Sequence, residues 1–132
     1  MRFQKLLVAT VVVGVVANVM DFLIHGQLLA AYYLEPPFRQ GVPIPWLVGG
    51  DFVYALVLVW VYDRVYASFG GGPGGGAAYG FYAGVLMNFP TWIFMHLLIS
   101  GFPYGLAWIW TFLGILSTVV LGAVAGVVHK KK

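Results

Sequence analysis

At 132 residues, with 61% hydrophobic and only 8% charged, the chain is too apolar for water, where ordinary domains carry about 25% charged residues. It has no cysteine, which excludes a disulfide framework, a thiolate metal site and a cysteine nucleophile. Its net charge of +3 comes from cations split between chain ends and loops, so there is no nucleic-acid-binding patch.

A helix needs about 20 mostly apolar residues to cross a bilayer. Four such runs fit, at about 6–29, 46–66, 77–99 and 105–128. Each run is continuous rather than alternating, which predicts helices rather than barrel strands. The expected fold is therefore an all-α integral membrane protein, a four-transmembrane-helix bundle forming one domain over 1–132. Arg2 and Lys5 precede the first run, and Val15-Val16-Ala17 resembles a signal-peptide cleavage site. The run continues through Phe22, Leu23 and Ile24, which predicts an uncleaved first span. The proline-rich stretch from Glu35 to Pro45 is expected to lie across the surface. Gly70 to Gly76, six glycines around Pro73, reads as a flexible linker. It lacks the Lys-Ser/Thr ending of a phosphate-binding loop. Ser100 to Tyr104 makes a short turn.

Arg2, Lys5, Arg64 and Lys130 to Lys132 all fall on one side of a four-span chain, and Arg39 falls on the other. The positive-inside rule then places both termini in the cytoplasm. Tyr32, Tyr33, Trp46, Tyr62, Tyr66, Tyr104 and Trp108 lie near span ends, as in an interfacial belt.

Spans one and three share a pattern. Gly14 to Asn18 parallels Gly84 to Asn88, and Gly80 extends the second series. Residues four apart share a helix face. Span four carries Gly114, Thr118, Gly122 and Gly126 at the same spacing. Small residues let helix backbones approach, and asparagine can bond across the contact. The expectation is two tandem helical hairpins packed through small-residue grooves.

Ionisable groups inside a span are costly and mark candidate sites. Asn18, Asp21 and His25 follow one another along span one. Asp51 and Tyr54 lie near the start of span two, and His96 near the end of span three. Span direction puts Asp21, His25, Asp51 and His96 in the outer half, where Tyr54, Thr91 and Gln27 could join them, with Asn18 on the Asp21 face at mid-membrane. Helix packing, a small polar cavity, a divalent-metal site and a b-type haem held by His25 and His96 each suit these residue types. Pro90 removes a helix hydrogen bond beside Asn88. Asp63 and Arg64 read as an interfacial anchor, and His129 as part of a solvated basic tail.

The stretch from Asn18 to Leu29, with Tyr79-Gly80, Gly84, Met87 and Pro90, resembles a group of small four-helix bacterial membrane proteins of unknown function. Their first span looks like N-x-x-D-F-x-x-H-G. The resemblance implies this fold and a bacterial cytoplasmic membrane, and it supplies no activity. The first expected function is a non-catalytic accessory subunit of a larger membrane complex, with bilayer lipid and other membrane subunits or further copies as partners. The second is a transporter or channel for a small solute, ion or metal, acting as a homo-oligomer. The third is a metal- or haem-binding electron carrier. Ser100, Ser117 and Thr118 have no histidine at a readable spacing, so nucleophilic hydrolysis has no support.

Overall fold

A computed structural model describes residues 3–129, and these are all-helical, with no strand among them. Helix α1 spans Phe3–Asp21 and continues without a break into a wider π-helical turn at Phe22–Leu28. A 3₁₀ turn follows at Ala30–Tyr33. Helix α2 spans Ile44–Phe69, α3 Gly72–Leu98 and α4 Tyr104–Val128. All four are long and apolar enough to cross a membrane. Large apolar side chains such as Leu86, Phe112 and Leu116 stand on the outside of the bundle.

The helices pair in sequence, α1 with α2 and α3 with α4, and α1 closes the bundle against α4. The α3–α4 pair is the tighter. A Cβ added at Gly76 would run into Gly122 O, one at Gly80 into Thr118 O, and one at Gly126 into Gly72 O. The two backbones touch because nothing larger than hydrogen separates them. Gly84 is less crowded, with Ile115 Cα at 3.0 Å and Thr118 Cβ at 3.1 Å from the same added atom. In the α1–α2 pair the Gly14 notch receives the Phe52 ring instead of a backbone. Asn18 and Asn88 do correspond locally. Each Nδ2 donates to the glycine carbonyl one turn earlier, Gly14 O at 2.9 Å and Gly84 O at 2.8 Å.

This packing corrects the linker expected over 70–76. Only Gly70 and Gly71 lie outside helix, and the φ of +77° at Gly70 is a turn conformation that favours glycine. Gly72 to Gly76 form the start of α3. Glycine costs a helix about 1 kcal/mol per residue, and the close approach to α4 compensates.

The end of the bundle near Gly70 is densely filled. Tyr62, Val59, Leu58 and Tyr79 are buried together. Tyr62 donates to Gly70 O at 2.9 Å, and Tyr79 donates across the hairpins to Leu58 O at 3.0 Å. His129, expected to be solvated, is buried here. Its Nε2 lies 2.6 Å from Asp63 Oδ1, and its ring stacks on Tyr66 with centroids 4.7 Å apart. Asp63 is thus a tertiary partner rather than only an anchor, while Arg64 lies 5.3 Å over the Trp60 ring. Replacing Tyr79 by phenylalanine is expected to cost about 1 kcal/mol, the worth of one buried hydrogen bond. Equilibrium unfolding in mixed detergent micelles measures it.

Candidate functional site

Between the two hairpins, in the half nearest the α1–α2 loop, lies a partly open cavity of about 180 Å³. The first hairpin contributes Asp21, His25, Asp51 and Tyr54, and the second contributes Asn88, Trp92, Trp110, Ser117 and Thr118. No lysine or arginine lines it. Towards the bundle centre the cavity ends at Ala17 and Leu121, above the filled tyrosine cluster.

Asp21 is the last α-helical residue of α1, and Asp51 lies two turns into α2. Both carboxyl groups line the same cavity. Carboxylates only accept hydrogen bonds, so neither can satisfy the other while both are ionised. The π turn directly after Asp21 closes on a bond from Leu29 N–H to Ile24 O of 2.8 Å. Its i→i+5 pattern widens the helix and alters the angle at which His25 follows Asp21.

His25 Nδ1 lies 2.6 Å from the Tyr33 hydroxyl, which accepts the Trp110 indole N–H at 2.8 Å. Indole can only donate. A relay in which Trp110 donates to Tyr33 and Tyr33 donates to His25 Nδ1 assigns the imidazole proton to Nε2. Burial pushes the Tyr33 hydroxyl above its ordinary pKa, the Trp110 hydrogen bond opposes the shift, and the Asp21 charge adds to it. Tyr33 therefore keeps its proton at neutral pH. Phe38 folds back from the loop onto this relay, with centroids 5.1 Å from Tyr33 and 5.9 Å from Trp110. Phe102, from the α3–α4 turn, packs on Trp110 at 5.4 Å. These rings form a cap over one end of the bundle.

On the opposite wall, Trp92 N–H donates to Asn88 Oδ1 at 3.1 Å, and the Trp92 and Trp110 rings meet edge to face with centroids 4.6 Å apart. Thr118 Oγ1 gives its proton to Gly114 O at 2.8 Å. The Tyr54 hydroxyl, 3.0 Å from Thr118 Oγ1, is then the donor in that contact.

Of the residues expected to share a site, the structure brings Asp21, His25, Asp51 and Tyr54 to one cavity. Asn18 does not line it, although its amide makes the same bond to its own helix as that of Asn88, which does. His96 does not line it either. Its Nδ1 lies 3.2 Å from Phe102 O and its ring packs on Tyr104 at 4.7 Å. His25 and His96 therefore do not face a common space. Thr91 bonds to Met87 O, and Gln27 is exposed outside the cavity. Among the described residues no three histidine, aspartate or glutamate side chains are grouped closely enough to hold a metal ion. Sequence reasoning missed Trp92, Trp110, Tyr33 and Ser117. Trp110 lies two residues beyond Trp108 on span four, so the sequence offered no signal to separate it from the interfacial belt.

No protein-family model, curated protein or solved structure matches the chain.

Proposed function

We propose that this is a multi-pass membrane protein, of the bacterial cytoplasmic membrane as its resemblance suggests, that binds a small polar solute in the cavity between its hairpins. The observation that carries this reading is the cavity itself. Carboxyl groups from two helices line a space of about 180 Å³ inside a membrane-spanning bundle. At about 30 Å³ per water, that is room for about six waters. Ionisable side chains at this depth are retained where they serve a cavity or a pathway. The positive-inside distribution orients the α1–α2 loop, and with it the cavity, towards the outer face. The two hairpins would be tandem repeats related by an axis along the membrane normal. The cavity is closed towards Gly70 by Tyr62 and Tyr79, so the resting protein is a binding vestibule, and passage would require the hairpins to move.

Stopped-flow volume recovery of reconstituted vesicles, run over a panel of small neutral and charged solutes, tests the proposal. At least one solute should pass faster than through protein-free vesicles. Ser117→Trp, which fills the cavity from α4, should remove the excess rate. Rates equal to protein-free vesicles for every solute would contradict the reading.

A second reading, an accessory subunit of a larger complex, is favoured by one surface. Gly49 and Gly50 on α2 have open space where a Cβ would stand, beside a Trp46 side chain that is 82% exposed. Another helix could approach closely there. Mild detergent extraction followed by mass measurement would show a stoichiometric partner if this holds, and only the chain or its self-oligomer if it does not.

A further inference from the structure

We propose that the occupant of the cavity is a small protonated amine, an ammonium ion carrying N–H groups, held between the Asp21–Asp51 carboxyl pair and the Trp92–Trp110 wall. The inference rests on the reading of the cavity as a solute site and names the solute's chemistry.

Charge sign comes first. Two carboxyl groups face the space, and no lysine or arginine among its lining residues balances them. An anion would meet repulsion with no counter-charge beyond the His25 imidazole, whose Nδ1 is engaged by Tyr33.

The hydrogen-bond census is more selective than the charge. The Trp92 and Trp110 N–H groups are committed to Asn88 Oδ1 and Tyr33 Oη. The Asn88 amide donates to Gly84 O, the Thr118 hydroxyl to Gly114 O and the Tyr54 hydroxyl to Thr118. Those donors are used internally, which leaves the Ser117 hydroxyl and the His25 Nε2–H as lining donors beside the carboxyl groups of Asp21 and Asp51. The two carboxyl groups of the lining are acceptors with no cationic side chain beside them, so a fitting occupant brings donors to them. An alkylammonium does so, whereas a quaternary ammonium has none.

The wall and the volume narrow the class further. A bare metal cation would want several oxygen or nitrogen ligands at fixed distances, and Asp21, His25 and Asp51 are not grouped closely enough to coordinate one. Indole rings favour an organic cation, whose charge they attract through the ring face. A volume of about 180 Å³ admits a short amine whole.

The test is isothermal titration of the purified chain in neutral detergent at pH 7. The probes are ethylammonium, tetramethylammonium, sodium, acetamide and acetate. Ethylammonium should bind saturably, at least tenfold tighter than tetramethylammonium or sodium, and acetate should not bind. Asp51→Asn and Asp21→Asn should each remove ethylammonium binding, with thermal unfolding confirming that the variant is folded. Tetramethylammonium binding as tightly as ethylammonium would overturn the N–H requirement. Saturable binding of acetamide or acetate, unchanged in Asp51→Asn, would overturn the amine assignment and leave the solute site standing. If no probe binds while a neutral solute still crosses vesicles, the amine assignment alone fails. If neither binding nor passage is seen, both readings fail.

Discussion

Replacing Gly80 by alanine is expected to destabilise the bundle by about 3 kcal/mol, the upper part of the range for forcing atoms into a packed contact. The added methyl would stand inside Thr118 O and only 2.9 Å from Val119 Cα, so backbone rather than a side chain has to yield. The same substitution at Gly84 meets Ile115 Cα at 3.0 Å and Thr118 Cβ at 3.1 Å, and should cost about 1 kcal/mol. At Gly50 nothing lies within 4 Å. Alanine there should be neutral or stabilising by up to about 1 kcal/mol, through its higher helix propensity. The order Gly80, Gly84, Gly50 is the informative result, read from unfolding midpoints in one detergent mixture. Equal costs at all three would mean that the α3–α4 contact is not the backbone seam described above.

The second large effect concerns function. Asp21→Asn and Asp51→Asn should each lower solute passage through vesicles at least tenfold, about 1.4 kcal/mol. The double variant should lose little more than either single one, because two carboxyl groups lining one small cavity act as a unit. Stability should move the other way. An intramembrane carboxylate is expensive, and asparagine of the same shape is cheaper to hold in the bundle. Loss of passage with an unchanged or raised unfolding midpoint separates a functional pair from a structural one. A carboxyl pair that only fixed helix packing would show the reverse, with passage following stability downwards.

The spans were legible because a bilayer demands about 20 apolar residues at a stretch, and that demand is written in composition. The grooves were legible because spacing by four is a property of one helix. What lay between helices was less so. Gly72 to Gly76 read as coil from glycine's propensity, and only the facing backbone of α4 explains why they are helical. His129 read as solvated beside three lysines, yet Asp63 and Tyr66, distant in sequence, bury it. For the candidate site, direction and depth pointed to Asp21, His25, Asp51 and Tyr54. The π turn after Asp21 has no periodicity signal, and Asn18 and Asn88 read alike in the sequence although only Asn88 lines the cavity. The aromatic wall needed the pairing of hairpins, since Tyr33 and Trp110 are 77 residues apart.

The central claim is that a polar, water-accessible cavity lies between the hairpins in the half nearest the α1–α2 loop. The chain has no cysteine, so single-cysteine variants report without background. Ser117→Cys lines the cavity, whereas Leu116→Cys, one residue earlier, stands on the outer surface of α4 at a position 55% exposed. A small membrane-impermeant methanethiosulfonate reagent added to intact cells should modify Ser117→Cys and leave Leu116→Cys unmodified. An unreactive Ser117→Cys, or one that reacts no faster than Leu116→Cys, would contradict the account.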